Sequence, residues 1–152
     1  MKHSEYSAVV IGSGAAGLYT ALKLASQISL PDGVLLITKS NLGESNSKYA
    51  QGGIVGVISQ NTADSIESHV SDTLKAGAGL NDKKTVQYIS EISDSVINDL
   101  LDLGVPFDKN DKGELNFTLE AAHSCRRILH VGGDATGKGI SEIGRASCRE
   151  RV

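Results

Sequence analysis

Two short apolar runs, separated by a glycine turn and a helical repeat, mark the first forty residues. Tyr6 to Ile11 reads Tyr-Ser-Ala-Val-Val-Ile and stops at Gly12. An apolar run without alternation is what a parallel strand covered on both faces requires. After Gly12-Ser13-Gly14-Ala15-Ala16-Gly17, the apolar positions Leu18, Ala21, Leu22 and Ala25 recur with helical spacing. Pro31-Asp32-Gly33 predicts a turn, and Val34 to Thr38 predicts a second buried strand. Strand, glycine turn, helix and strand within about 33 residues is the size of one βαβ unit.

The pattern then changes. Ser40 to Gly56 is polar and glycine-rich, and loops of that length usually carry function. Asp64 and Glu67 predict a capped helix start, with Ile66, Val70 and Leu74 on one face. Ala76-Gly77-Ala78-Gly79 ends that helix. Asp82 can cap a second helix, whose apolar stripe of Val86, Ile89, Ile92, Val96, Leu100 and Leu103 runs to Gly104 as its C′ residue. Asp108 to Gly113 reads as a polar turn, and Glu114 to Leu119 alternates as a short strand does.

Composition narrows the class. The 152 residues include 17 glycines, well above the roughly 7% average. Hydrophobic residues at 39% and charged residues at 22% fit a soluble globular chain. No apolar run approaches the roughly 18 residues that a membrane span needs. Met1 to Tyr6 resembles neither a signal nor a transit peptide, which favours a cytoplasmic location. A net charge of −3 argues against a nucleic-acid partner held by bulk charge. Cys125 and Cys148 lack metal-ligand spacing and form no disulfide framework, so no metal is expected.

The placement of the glycines carries the first chemistry. Gly12-x-Gly14-x-x-Gly17, after a strand and before a helix, is the dinucleotide-binding fingerprint. Gly12 permits the tight turn, Gly14 lets the backbone approach a pyrophosphate, and Gly17 allows close helix–strand packing. Ser13, Ala15 and Ala16 complete the turn, where free N–H groups and the helix dipole meet the phosphates. The acidic residue expected about 20 positions on is missing; Thr38-Lys39-Ser40 stands there. A ribose or phosphate contact then falls to Lys39, Ser40 or the backbone, and a plain NAD-dependent dehydrogenase fits less well. Lys39 is also readable as a solvated strand-end lysine. Further on, Gly52-Gly53 in Tyr49-Ala50-Gln51-Gly52-Gly53-Ile54 can bring backbone N–H groups up to a flat or anionic ligand. Read alone, it is equally a glycine-permitted turn.

Together these strings resemble the FAD domain of the fumarate reductase, succinate dehydrogenase and L-aspartate oxidase superfamily. The resemblance implies an α/β fold: the N-terminal part of a Rossmann-like FAD-binding domain, incomplete. The loop Asn46, Ser47, Lys48, Tyr49, Ala50, Gln51, Gly52 and Gly53 would wrap the flavin phosphates and ring. Members that attach the flavin covalently use a histidine in this loop; counting back from Gln51, that position is Asn46. Asparagine has no imidazole nitrogen to alkylate, so the resemblance implies non-covalent FAD.

The string Phe117-Thr118-Leu119-Glu120-Ala121-Ala122-His123-Ser124-Cys125-Arg126-Arg127-Ile128-Leu129-His130, followed by Asp134-Ala135-Thr136-Gly137, is similar to the L-aspartate oxidase family within that superfamily. So are Asp64 to Val70 and Thr73 to Gly79. The resemblance runs from about Val9 to Ile140. Two departures are Ala121-Ala122, where a glycine pair is common, and Gly132-Gly133 between His130 and Asp134.

The resemblance implies oxidation of L-aspartate to iminoaspartate in de novo NAD biosynthesis, with oxygen or fumarate as acceptor and hand-off to quinolinate synthase. A substrate with two carboxylates and an ammonium needs cations and one anion. Glu120 would orient the substrate by its amino group, and His123 would touch substrate or flavin; without the family, both read as ordinary polar groups. Arg126 and Arg127 would order the loop or neutralise phosphate, or simply form a solvated face. The family's main catalytic arginine and its carboxylate-binding histidines lie in later segments that nothing here matches. Residues 1–140 are therefore expected to be a fragment, inactive alone. Ser141 to Val152, with Arg145, Arg149 and Arg151 and little apolar periodicity, reads as translated vector or adapter sequence; the alternative is a helix start capped by Ser141. The competing functions are a soluble fumarate reductase or succinate dehydrogenase-type flavoprotein, separated by Asn46 and Glu120, and a non-catalytic dinucleotide-binding module.

Overall fold

A computed structural model describes residues 5–27 and 33–151. Its elements in order are β1 (Ala8–Ile11), α1 (Ala15–Gln27), β2 (Val34–Ile37), a 3-10 turn (Asn46–Tyr49), β3 (Ile54–Val55), α2 (Ile66–Ala76), α3 (Lys83–Glu91), α4 (Ser93–Asp102), β4 (Ile128–Leu129) and α5 (Thr136–Arg151). The chain divides into two units, residues 1–51 with 135–152, and residues 52–134.

In the first unit β1, α1 and β2 form the expected βαβ unit. The strands are parallel, with Ala8 opposite Val34 and Ile11 opposite Ile37. Residues 31 and 32 of the expected turn lie outside the described residues. On α1, Leu18, Ala21 and Leu22 are buried, the i, i+3, i+4 stripe that a covered helix face requires. The strands depart from expectation: Val9 is 52% and Ile11 83% exposed. α1 packs against both strands, and among the described residues no second layer covers Val9 and Ile11, which a parallel sheet closed on both faces would bury. In α5, the Gly137 N–H donates to the Ala50 carbonyl at 3.1 Å, docking the helix start on the backbone after the 3-10 turn. Ser141 is buried inside α5; the helix begins at Thr136, so Ser141 is not its cap.

The second unit holds an antiparallel pair, Ile54 opposite Leu129 and Val55 opposite Ile128. The strand expected over Glu114–Leu119 is reduced to isolated bridges, Lys109 with Leu115 and Thr118 with Ile128. The α2 cap is Ser65 rather than Asp64: Ser65 Oγ accepts from the Ser68 N–H at 3.1 Å. Asp82 caps α3 as expected, accepting from the Thr85 N–H at 2.7 Å. The single helix expected up to Gly104 is two, meeting at Ile92. Near the break, Ser90 Oγ donates to the Val86 carbonyl and Ser93 Oγ to the Ser90 carbonyl, both at 2.8 Å. Hydroxyls that bind nearby backbone compete with the helical ladder. Ile58, Val70, Val86, Ile97, Leu100, Phe107 and Leu129 form the core. Among the described residues no helix is long and apolar enough to cross a membrane.

Ala121 has φ 51°. The left-handed region costs an L side chain roughly 1–2 kcal/mol, against roughly 0.5–1 kcal/mol of extra chain entropy for glycine. Ala121→Gly is therefore expected to raise the thermal unfolding midpoint by a few degrees. A calorimetric scan showing an unchanged or lower midpoint would mean that the turn stores no such strain.

Candidate functional site

At the C-terminal ends of β1 and β2 the glycine turn opens a cavity of about 530 Å³, lined among others by Gly12, Gly14, Lys39, Ser45 and Asn46. Its shape rests on missing side chains. A Cβ on Gly17 would lie 1.9 Å from the Gly12 carbonyl oxygen, so α1 reaches this close to the turn only because position 17 is glycine. A Cβ on Gly14 would face Ser47 Oγ at 3.3 Å and the Ser45 side chain at 3.7 Å. Ser13 is buried and works as a tie: its Oγ donates to Thr38 Oγ1 at 2.9 Å and accepts from the Gly43 N–H at 3.2 Å. The Ala15 N–H, in the first turn of α1, donates to Ser47 Oγ at 3.2 Å.

These residues fit a dinucleotide. Ser45 Oγ is buried without a partner among the described residues, beside the glycine where a phosphate would approach. Ile11 and Ile37 present exposed apolar side chains at the same edge, and open α/β sheets bind ligands outside the carboxyl ends of their strands. Lys39 is exposed at the end of β2, in reach of that cavity.

The rest of the loop is divided in its roles. Lys48 Nζ pairs with Glu44 at 2.9 Å, and the Tyr49 hydroxyl hydrogen-bonds to the same carboxylate. The Tyr49 hydroxyl and then Lys48 lower the Glu44 pKa, and Glu44 in turn raises those of Lys48 and Tyr49. Lys48 thus has an anionic partner within its own loop. Asn46, Ala50, Gln51, Gly52 and Gly53 are exposed and Ser47 is half-buried. Within the second unit, a Cβ on Gly53 would lie 2.3 Å from Ile128 Cγ2 and 2.7 Å from the Leu129 carbonyl oxygen. Gly53 is therefore a packing glycine against β4, while Gly52 faces open space.

Also in the second unit, Arg127 is fully buried rather than solvated, a correction to the solvated-face reading. Its Nε and Nη2 reach Asp64 at 2.7 and 2.6 Å, Nη1 reaches Asp72 at 2.7 Å and His123 Nδ1 at 3.2 Å, and Nη2 reaches Ser68 Oγ at 2.9 Å. These five contacts match the five N–H donors of a guanidinium. Because His123 Nδ1 accepts from Arg127, the ring proton sits on Nε2. His69 stacks obliquely on His123 at 5.6 Å; burial first, then the Arg127 charge, lowers its pKa. Arg126 is exposed.

Glu120 lies apart from this network. Its Oε1 is 2.8 Å from His130 Nε2 and 3.3 Å from Thr118 Oγ1, and the same Nε2 is 3.0 Å from Thr118 Oγ1. Half of the Glu120 side chain is exposed, against 10% of His130. His130 and Thr118 stand inside the quoted motif, but neither period nor spacing marks them, and only the fold brings them to Glu120. Among the described residues no cluster of three His, Cys, Asp or Glu could hold a metal ion.

The ion network has a pH signature. At Asp72 the Ser124 backbone and hydroxyl donors, then Arg127, hold the carboxyl far below its usual range. At Asp64 burial acts upward, but Arg127 and the Ser65 N–H outweigh it and the pKa is lowered. A lowered folded-state pKa gives stability that is complete above the unfolded value, about 3.9, and lost as pH falls through the folded one. Asp72→Asn is expected to be less stable at neutral pH yet to lose less stability below about pH 4. Urea midpoints across that range check this, and parallel acid limbs would remove Asp72 from the effect.

Comparisons with known proteins agree with this geometry. Residues 7–152 match a family model described as an FAD binding domain. The chain is 48% identical over 134 residues to an L-aspartate oxidase of Vibrio cholerae, covering 85% of this chain and 24% of that protein. It is 44% identical over 131 residues to one of Mesorhizobium japonicum, covering 86% and 24%. The solved Mycobacterium smegmatis Sdh1 complex in the apo form superposes with a TM-score of 0.85 at 30% identity, over 97% of this chain and 24% of that one. The chain spans about a quarter of the length of the curated relatives it matches. With a family model across nearly all of its length and a glycine cradle of the required shape, the chain belongs to the FAD-binding-domain family.

Proposed function

We propose that this chain is part of an L-aspartate oxidase, a cytoplasmic flavoenzyme that converts L-aspartate to iminoaspartate for de novo NAD synthesis. Oxygen or fumarate would be its final acceptor, and quinolinate synthase would take up its product. Bound FAD would supply the two-electron acceptor. The backbone at Gly12 and Gly14 and the start of α1 would meet its pyrophosphate, with Ser45 Oγ and Lys39 at the rim of the same cavity. Asn46 offers no nucleophile for a flavin bond, so the cofactor would be held non-covalently.

The observation that carries the substrate is Glu120. In a chain 48% identical to an L-aspartate oxidase, a half-exposed carboxylate is held at Oε1 by His130 and Thr118. An ammonium group is stabilised by such an anion, whereas a plain dicarboxylate facing it would be repelled. That difference favours an amino-acid substrate over the fumarate reductase or succinate dehydrogenase-type reading. His123, with Nδ1 engaged by Arg127, would have only Nε2 to offer a ligand. For residues 141–152 we infer an origin in translated adapter sequence. A genomic frame reading unbroken from Ser141 to Val152 would overturn that origin.

In the full-length enzyme, Glu120→Gln is expected to lower kcat/KM for L-aspartate at least tenfold, the scale of one charged hydrogen bond, with fumarate reduction unchanged or raised as the repelling charge is lost. Equal losses on both substrates would remove the amine-recognition role. Gly14→Val adds methyl groups where Ser47 already stands 3.3 Å from a Cβ. That variant is expected to purify colourless, while native protein releases free flavin to the supernatant on acid precipitation. A yellow variant, or flavin that stays with the native precipitate, would contradict the cradle or its non-covalent hold.

A further inference from the structure

His130 is buried, yet its ring is only partly accounted for. Nε2 faces two oxygens, Glu120 Oε1 at 2.8 Å and Thr118 Oγ1 at 3.0 Å, while Nδ1 is buried without a partner among the described residues. A Cβ at position 53 would lie 2.9 Å from His130 Cε1, so the edge of the ring packs directly under the Gly53 backbone. The ring's backbone is fixed as well: the His130 carbonyl accepts from the Asp108 N–H at 2.8 Å.

The geometry points to His130 as a positioning residue that sets which oxygen of Glu120 is offered to substrate. Resting on the amine-recognition reading above, the argument turns on hydrogen-bond capacity. Glu120 Oε1 receives the Nε2–H of His130 and stands 3.3 Å from the Thr118 hydroxyl, while no described residue holds Oε2. The Thr118 hydroxyl has one proton, shared between Glu120 Oε1 at 3.3 Å and the Ile128 carbonyl at 3.4 Å, so the Nε2–H is the principal donor to Oε1, and the lone pairs of the other oxygen stay available to an ammonium donor. The same contact restrains a side chain that is half exposed and would otherwise sample several rotamers. Loss of the Nε2 donor would therefore weaken amine binding without touching the groups that bind carboxylates. A donor at that position in another side chain would restore it.

The test uses the full-length flavoprotein and two variants: His130→Leu, which keeps volume without a donor, and His130→Gln, whose amide can donate near the Nε2 position. His130→Leu is expected to raise KM for L-aspartate about tenfold, with kcat and fumarate reduction within about twofold, and His130→Gln to recover most of the loss. In a Glu120→Gln background, His130→Leu is expected to cost little more. A readout independent of turnover is the Nε2 resonance of His130 in protein labelled with ¹⁵N-histidine, expected to shift on Glu120→Gln. A resonance that does not move, or equal losses on both substrates in His130→Leu with no rescue by His130→Gln, would overturn the positioning role. Failure of the L-aspartate reading looks different: Glu120→Gln alone would then cost both substrates equally, while the resonance still shifts.

Discussion

A guanidinium shut off from water is tolerated only where its charge and every N–H are met, and in the second unit that condition organises everything around Arg127. Its partners lie 55 to 63 positions away at Asp64, Ser68 and Asp72, and four positions away at His123. Asp64 precedes α2, and Ser68 and Asp72 belong to it, so one side chain fastens the start of a helix to the approach of β4. Removing both carboxylates would leave an uncompensated buried charge, whereas removing one leaves Arg127 paired with the other and costs about 1–3 kcal/mol for the guanidinium N–H groups left unmet. The adjoining residues inherit this fixity. Ile128 and Leu129 pair with β3, and His130 follows three residues after the arginine.

In the first unit the corresponding constraint is clearance rather than charge. The contact between Gly17 and the Gly12 carbonyl lets α1 begin immediately over the turn. Its first N–H groups then lie at the strand ends, the position that suits an anion. Ser13 locks the turn to β2 and to Gly43 through a single hydroxyl. The cradle is therefore held mainly by backbone geometry and hydroxyl ties, with Lys39 the exposed cation at its rim.

Much of the first unit is legible in the sequence because its determinants are local. Gly12, Gly14 and Gly17 act within one turn, and the runs at Ala8–Ile11 and Val34–Ile37 announce strands on their own. The second unit is less legible, since its determinants are distant in the chain. Two-residue strands carry no alternation, so β3 and β4 show only when Ile54 and Val55 meet Leu129 and Ile128. Asp64 and Ser65 are both good caps; Arg127, far along the chain, takes the first and leaves the second. The stripe from Val86 to Leu103 is truly helical, but Ser90 and Ser93 turn hydroxyls onto the backbone and divide it. For the site, the fingerprint and Glu120 stand out by type and spacing, whereas His130 gains its meaning only from the fold.

Two adjacent glycines bear on how that histidine is held. Gly132 and Gly133 both have positive φ, and both donate their N–H groups to the Asp108 carboxylate, at 2.7 and 3.0 Å. The Asp108 N–H donates in turn to the His130 carbonyl. Asp108 therefore clamps the chain just after His130, as Arg127 anchors it just before. An alanine pair at 132 and 133 would be strained in this turn, so the glycines are what allow both amides to reach one carboxylate. With its backbone held from both sides and its ring edge against Gly53, His130 has little freedom to follow Glu120. The exposed carboxylate must conform to the imidazole, and the direction of control runs from the buried ring to the half-exposed acid.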